Sequence, residues 1–515
     1  MTLTAFGIIY LPILLAVVLF ARQWLPALII FSTCIQAASV FNVPVGNGAF
    51  GITPYNITAL AAFCVLLVHL WQQRQLPLLP GRHLRLAFSL FAAYVAVAVI
   101  GALVLPWVFE GQMVNLLADP DGYAHHRLLP LGFTLSNPVQ AANLLIHGVV
   151  LVYLLQASDR DDRLNRSLIL GLFAGILLVV VLGLYERMAD FLGLPRSTEF
   201  WASNPGYRQS HSSMWSGLRR IAVPFTESSY TSAFLSAVTV ASLAVVAFGK
   251  HRIVAALATI ICGLALVNTT GLTGMAASGF GIAAVLVWVT FRSWKVPSLR
   301  KVAALLWTGC ALVAYLLHQK VPFLTTLLID RLTLERPQMV RLAADQQALR
   351  VFSDTYGVGV GLGSNRAASF MTSLFSNTGI LGGLLFVAML GALLWGYARH
   401  KNLTDIQLFI AVGLAAAMLA MSIGVPDLNL PMFWAFIFLA FLYHPVVAKK
   451  TAEEKGFRFQ GSGFRKTENQ KPGAAKPPPE PFPPRHRRSP QPGSLSRSTN
   501  SRDCGRRLRI SRAIC

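Results

Sequence analysis

The sequence predicts an all-α, polytopic membrane protein, and three observations support that fold class. Of its 515 residues, 54% are hydrophobic and only 13% are charged, whereas a soluble domain carries about 25% charged residues. Apolar runs of roughly 20 residues recur between short polar loops, as membrane-spanning helices require. These runs do not alternate apolar and polar residues, so they do not resemble the strands of an outer-membrane barrel.

The apolar runs predict about 12 to 13 transmembrane helices. The first run has no basic flank and no small-residue cleavage site, so we interpret it as a retained helix rather than a signal peptide. The stretch 268–274 between two later runs fits either a turn or an unwound break in one long helix. The runs lie near 3–20, 25–42, 54–71, 86–108, 139–156, 168–189, 229–248, 253–269, 273–291, 303–318, 376–398, 406–424 and 431–447.

Lysines and arginines in alternate short loops predict the orientation in the membrane, because basic loops stay on the cytoplasmic side. Three longer loops, at about 109–138, 190–228 and 319–375, then lie on the opposite side. Residues 1–447 form the predicted membrane domain. Residues 448–515, rich in Pro, Ser and Arg, form a predicted disordered tail on the cytoplasmic side.

Two of the long loops contain many arginines and almost no lysine. Arginine offers a planar fork of donors that matches phosphate or pyrophosphate, whereas lysine is a point charge. We therefore favour anion binding, and a plain solvated surface is the alternative. The arginines in or beside the second loop are Arg187, Arg196, Arg208, Arg219 and Arg220, and those of the third are Arg331, Arg336, Arg341, Arg350 and Arg366.

The second long loop ends at a predicted helix start. Thr226, Ser228 and Ser229 are favourable capping residues, and a helix N-terminus that faces outward attracts anions. Glu227 lies in this first turn. It either complements the helix dipole or acts as a general base for an acceptor hydroxyl.

The third long loop contains alternating glycines from Gly357 to Gly363, followed directly by Ser364, Asn365 and Arg366. Glycines let a backbone approach a ligand closely or turn sharply, and such polar density beside lipid is costly unless it lines a cavity. Upstream, a weakly helical stretch places Arg341 and Asp345 four residues apart, where they can form a surface ion pair. No nucleotide-binding fingerprint or paired metal-ligand spacing is present, so we predict no metal and no cofactor.

In combination these motifs resemble the bacterial O-antigen ligase and polymerase superfamily, in particular the Wzy-type polymerases of exopolysaccharides and capsules. The resemblance covers roughly residues 1–447. Ser228 stands where the family usually has Pro, and the stretch 364–369 lacks the His that is typical of the ligase branch, which favours the polymerases. The matching stretches are 220–230, 268–274, and 341–363 with 377–382.

The resemblance implies a GT-C-like, metal-independent glycosyltransferase in the lipid bilayer that joins undecaprenyl-pyrophosphate-linked repeat units at the periplasmic face of the bacterial inner membrane. It allows for a chain-length-regulating co-polymerase as a partner and implies no nucleic acid. Arginines would stabilise the charge on the departing pyrophosphate. The alternatives are a ligase and a lipid-linked oligosaccharide flippase, although a transporter more often shows inverted repeats. The candidate catalytic residues are Glu227, Arg220 and Arg341, and the candidate substrate-binding residues are Arg219, Arg208, Arg350, Arg366, Asn365, Ser364, Gly361 and Gly363.

Overall fold

The computed structural model of the protein is mostly helical. Of the sequence-predicted features, Arg208, Arg331, the side chain of Arg336 and the tail at 448–515 lie outside the described residues. The structure describes residues 1–45, 48–73, 79, 81–117, 127–158, 162–207, 209, 211, 213–215, 218–320 and 335–445.

The helices of these ranges follow the predicted apolar runs, each of which contains one helix. They are α1 (Ala5–Phe20), α2 (Leu25–Ser32), α3 (Pro54–Gln73), α4 (Arg82–Val108), α5 (Ser136–Ser158), α6 (Asp162–Leu192), α7 (Thr198–Trp201), α8 (Ser228–Phe248), α9 (Arg252–Asn268), α10 (Leu272–Lys295), α11 (Ser298–Lys320), α12 (Glu335–Asp354), α13 (Phe370–Arg399), α14 (Asp405–Gly424) and α15 (Pro431–Leu442).

Short antiparallel strands add to the helices, so the all-α prediction is incomplete. The sheet order is β1–β2–β3 in the first, with β4–β5 and β6–β7 forming two-stranded hairpins in the loops. The hairpins are too short to leave a clear alternating pattern in the sequence. The strands are β1 (Thr2–Leu3), β2 (Phe41–Val45), β3 (Gly48–Ile52), β4 (Val114–Leu117), β5 (Arg127–Pro130), β6 (Met214–Trp215) and β7 (Leu218–Arg219).

Eight of the described helices are long and apolar enough to cross a membrane, and counting α1 with α2 as one bent span gives nine. The protein is therefore a multi-pass membrane protein. The prediction of a span at 25–42 is wrong. There α2 has only 8 residues, it follows a bend of 120° after α1, and the chain then enters β2.

The uncertain stretch at 268–274 is a turn between two separate helices. Thr270 has a positive φ of 53°, and Gly274 N–H donates to Ser232 Oγ at 3.2 Å. Both α9 and α10 pack against α8. The turn therefore sets the start of α10 beside the first turns of α8.

Two helices, α8 and α15, form the centre of the bundle. Nearly every residue of α8 is buried, as is every residue of α15 after Pro431. α14 packs against both, and the outer helices present large apolar side chains outward, where lipid satisfies them. The N-termini of α8 and α15 open onto one end of the bundle. We call this end the loop face, formed by the described residues of the segments 33–45, 48–53, 109–117, 127–135, 193–207, 218–227, 355–369 and 425–430.

Candidate active site at the loop face

Glu227 is the residue that starts α8, as the capping pattern predicted. Its backbone is extended, and its carbonyl accepts hydrogen bonds from Tyr230 N and Thr231 N at 3.1 and 3.3 Å. The carboxylate does not cap the helix backbone; it accepts a hydrogen bond from Ser229 Oγ at 3.0 Å. The preceding residues 221–226 are all buried, whereas Glu227 is half-buried. A rigid segment thus holds a partly open carboxylate at a helix N-terminus.

Asp427 provides a second carboxylate in the loop between α14 and α15. Its Oδ1 accepts a hydrogen bond from Asn429 N at 3.0 Å. Burial raises the pKa of Asp427, and the Glu227 carboxylate raises it further, whereas the Asn429 N–H and the Arg366 guanidinium act in the opposite direction. Sequence reasoning missed Asp427. The available signal was a single acid between the apolar runs at 406–424 and 431–447.

Two tyrosines complete this group. Tyr230, in the first turn of α8, interacts electrostatically with Glu227, Asp427, Arg366 and Tyr207. Burial raises the pKa of Tyr207, and the Asp427 carboxylate raises it further, so this hydroxyl stays neutral at physiological pH. We call Glu227, Asp427, Tyr207, Tyr230 and Arg366 the carboxylate cluster. They come from four separate loop or helix segments, and only Glu227 and Arg366 were predicted.

Arg366 is held at the cluster by its backbone, whose N–H donates to Leu116 O of β4 at 2.9 Å. Its side chain is exposed. Within the described ranges it makes no ion pair, although it acts electrostatically on Asp427 and Tyr207. An exposed arginine that is not paired with a carboxylate is suited to an anionic ligand.

Arg341 reaches a neighbouring point of the loop face from α12. A Cβ placed on Gly424 would lie 2.8 Å from Arg341 Nη1 and 2.8 Å from Thr273 Oγ1. The guanidinium therefore sits where α14 ends and α10 begins. The first intrahelical bond of α10 runs from Met275 N to Gly271 O at 3.2 Å. Gly274 N–H is already bonded to Ser232 Oγ, so the positive end of the helix dipole is what favours an anion here.

The predicted ion pair between Arg341 and Asp345 is not formed within the part of the chain that the structure describes. Asp345 Oδ1 instead accepts hydrogen bonds from Ala368 N at 2.8 Å and Ser369 N at 3.1 Å. It also accepts one from Thr372 Oγ1 at 2.6 Å. Asp345 thus fixes the start of α13, which leaves Arg341 available for a ligand.

The structure indicates no specific role for the remaining predicted arginines that it describes. Arg219 and Arg220 are half-buried in the hairpin that leads into Glu227, and Arg220 N donates to Ser213 O at 3.0 Å. Arg219 Nε is buried and has no hydrogen-bond partner among the described residues. Arg350 is exposed on α12. These positions flank the cluster, and they are kept as candidate binding residues only.

The glycine run approaches other parts of the protein rather than an open site. Gly361 and Gly363 have φ values of +89° and +84°, and a Cβ on them would lie 2.5 Å from Gly101 O and 2.7 Å from Ser136 O. Only glycine allows these close approaches to the backbones of α4 and α5. The structure therefore gives both glycines a packing role, and their contact with substrate stays a prediction.

Ser364 and Asn365 have a structural role of the same kind, and their contact with substrate also stays a prediction. Asn137 Nδ2 donates to Ser364 Oγ at 2.7 Å, and Asn115 Nδ2 donates to Ser364 O. Asn365 Oδ1 accepts from Leu116 N at 3.2 Å, and its Nδ2 donates to Ser376 Oγ at 3.2 Å. Both residues are buried, so their polar groups serve to fix the loop that presents Arg366.

Gly361→Ala is expected to destabilise the protein, because the new methyl group would meet the α4 backbone at a positive φ. A strained residue in this region costs about 1–3 kcal/mol before the collision is counted. We expect a lower midpoint of thermal unfolding for the purified protein. The matched control is Gly391→Ala in α13, where a Cβ meets nothing within 4 Å. Equal midpoints for the two variants would contradict the packing role.

The chain matches no protein-family model and no curated protein, so the function is inferred from this site. Within the described ranges, no three His, Cys, Asp or Glu side chains are grouped closely enough to hold a metal ion. The candidate site combines a carboxylate pair, an adjacent exposed arginine and two helix N-termini at one face of a membrane bundle.

Proposed function

We propose that the protein is a membrane-embedded glycosyltransferase that polymerises undecaprenyl-pyrophosphate-linked repeat units into exopolysaccharide, capsule or O-antigen. The observation that supports this best is the carboxylate cluster, in which Glu227 and Asp427 lie within electrostatic range of Arg366. Glycosyl transfer from a pyrophosphate needs a proton acceptor and a stabiliser of negative charge in one place.

The reaction follows from the roles of these groups. A hydroxyl oxygen of the acceptor repeat attacks the anomeric carbon of the donor sugar. The bond from that carbon to the pyrophosphate oxygen breaks, and the electron pair leaves with undecaprenyl pyrophosphate. The hydroxyl proton passes to Asp427, because a carboxylate with a raised pKa is the better base near neutral pH. Glu227 orients the hydroxyl.

The two arginines, Arg366 and Arg341, stabilise the leaving group. Arg366 borders the carboxylates, where it can stabilise the pyrophosphate oxygen as negative charge develops on it. Arg341, at the start of α10, is suited to the more distant phosphate, which the helix N-terminus also favours. The apolar outer faces of the bundle are compatible with a prenyl chain that stays in the bilayer while its head group enters the site.

Arg341→Ala is expected to leave single lipid-linked repeat units and to lower high-mass polymer by about 100-fold, the effect of losing one charge-stabilising donor. The measurement is glycan size on gels, together with mass spectrometry of lipid-linked repeats, in cells that lack the native gene. Arg399→Ala is the matched control. Arg399 stacks over Trp395 at 4.9 Å at the opposite end of α13, so polymer length should stay normal.

Normal polymer length in stably expressed Arg341→Ala protein would contradict the proposal. Deletion of the gene separates the alternatives. Long polymer that is not attached to its final acceptor would indicate a ligase. Repeat units that accumulate on the cytoplasmic leaflet would indicate a transporter.

A further inference from the structure

A small cavity opens beside the carboxylate cluster. Among the described residues, its lining contains no Asp, Glu, Lys or Arg. The space within it suits about one or two water-sized groups. Its polar lining residues include Gln36, Tyr55, Asn143, His147, Tyr207 and Asn429.

Gln36 is the unusual member of this lining. It is only 2% exposed, yet neither its Nε2 nor its Oε1 has a partner at full hydrogen-bond geometry within the described ranges; its amide lies close enough to the Tyr207 hydroxyl to form a weak bond. Buried amide groups are nearly always hydrogen-bonded. The Gln36 amide and the Tyr207 hydroxyl together leave donor and acceptor capacity inside the cavity, which a ligand hydroxyl group can use.

The backbone around Gln36 is fixed, so the amide is not a mobile surface group. Gln36 N and Ala37 N both donate to Pro224 O, at 3.2 and 3.0 Å, and Asn204 Nδ2 donates to Gln36 O at 3.3 Å. Pro224 lies three residues before Glu227. The segment that positions the predicted catalytic carboxylate therefore also positions Gln36.

Other groups around the cavity are similarly held. Asn429 Nδ2 donates to Gln140 Oε1 at 2.6 Å, whereas Asn429 Oδ1 is buried and has no partner among the residues that the structure describes. Tyr55 Oη and His147 Nδ1 lie 2.7 Å apart, and His147 Nε2 lies 3.2 Å from Asn429 O. The wall is thus ordered before any ligand enters, which favours selective binding.

Two residues link the wall of the cavity to the carboxylate cluster. Tyr207 belongs to both, and it interacts electrostatically with Asp427 and Arg366. Asn429 lines the cavity, and its backbone N–H donates to Asp427. A molecule whose hydroxyl lies at Asp427 can therefore place a neighbouring part of the same molecule in the cavity.

We propose that this cavity binds hydroxyl groups of a neutral sugar at the acceptor end of the glycan, an inference that rests on the proposed function. The described lining offers no charged partner to a carboxylate or phosphate, and a buried charge without a partner is strongly disfavoured. Its amides and tyrosines match the donor and acceptor of one or two hydroxyl groups that project from a sugar ring. We therefore expect the part of the acceptor sugar that enters the cavity to be neutral, in contrast to the pyrophosphate of the donor.

The test is saturation-transfer NMR on the full-length protein in lipid nanodiscs, which avoids detergents with sugar head groups. The probes are the methyl glycosides of glucose, galactose and mannose, with methyl glucuronide as the charged comparator. At least one neutral glycoside is expected to bind the wild type, and methyl glucuronide is not. Gln36→Leu should weaken that binding by about tenfold through loss of the hydrogen bonds of the amide, and Arg341→Ala should leave it unchanged.

Asn143→Ala is a second variant of the same wall, used where Gln36→Leu lowers the thermal midpoint, and it too should weaken the glycoside. The proposal is overturned if no neutral glycoside binds, if methyl glucuronide binds equally well, or if correctly folded variants bind like the wild type. These measurements involve no turnover. Normal polymer in Arg341→Ala cells would therefore refute the proposed function without touching the glycoside result.

Discussion

Asp427→Asn is expected to lower polymerisation by about 100- to 10,000-fold, the usual contribution of a positioned proton acceptor. The substitution keeps the shape of the side chain and retains an oxygen that accepts the Asn429 N–H. It removes the carboxylate that takes the proton of the acceptor hydroxyl. The rate is measured with purified protein in nanodiscs and a lipid-linked repeat unit as the substrate.

The same substitution should not destabilise the protein. A raised pKa means that the folded state disfavours the ionised carboxyl of Asp427. That penalty is present above the folded-state pKa and disappears as the pH falls below the ordinary pKa of an aspartate. Asparagine is neutral throughout, so the thermal midpoint of Asp427→Asn should equal or exceed that of the wild type at neutral pH and converge with it in acid.

The control for this pair of measurements is Asp354→Asn, an exposed aspartate at the end of α12, which should change neither rate nor midpoint. The pH profile adds a second readout. The wild-type rate should fall as the pH drops through the raised pKa of Asp427, and this acidic limb should vanish in Asp427→Asn. If Asp427→Asn has the wild-type rate and keeps the acidic limb of the pH profile, Asp427 takes no part in the reaction.

The helices of this protein could be predicted from the sequence because lipid-facing and buried helices both need long apolar runs. The length of an apolar run does not show whether lipid or protein surrounds it. Residues 33–40 are apolar enough to extend a span, but they are buried within the protein in irregular backbone. Such backbone is tolerated at membrane depth only where protein covers it, and hydropathy does not distinguish a protein interior from lipid. The span predicted at 25–42 failed for this reason.

The candidate site was predictable where local chemistry was sufficient. Glu227 was found because a helix start has a local signature, and Arg366 because arginine-rich loops are unusual. Asp427 was missed because its importance depends on Glu227, 200 residues earlier, and no local pattern encodes that proximity. The packing role of Gly361 was not predicted, because a close approach to a ligand and a close approach to a helix require the same φ.

The packing of the third long loop gives these observations a common physical reason. Glycines and buried amides dock the loop on α4 and α5, and Asp345 fixes the helix that follows. The single exposed charge between these anchors is Arg366. A loop fixed this firmly presents a guanidinium at low entropic cost, as preorganised electrostatic stabilisation requires.

Arg366→Ala is accordingly expected to lower the polymerisation rate by about 100- to 1,000-fold. It should also move the acidic limb of the pH profile upward, because Arg366 holds down the pKa of Asp427. Arg366→Lys should separate the two effects. It keeps the positive charge, so the limb stays near its wild-type position, but it loses the two-pronged contact to phosphate oxygens, so the rate stays low.

The polymerisation rate and the position of the acidic limb together distinguish an arginine at the reacting groups from one that merely supports the loop. A supporting residue would lower the rate through misfolding, visible as a lower thermal midpoint, and would leave the acidic limb in place. Equal rates for Arg366→Ala and the wild type would contradict its role at the leaving group. An unshifted limb in a folded Arg366→Ala protein would mean that Asp427 is not the base that sets the pH dependence, because the field of Arg366 on this carboxyl follows directly from their proximity.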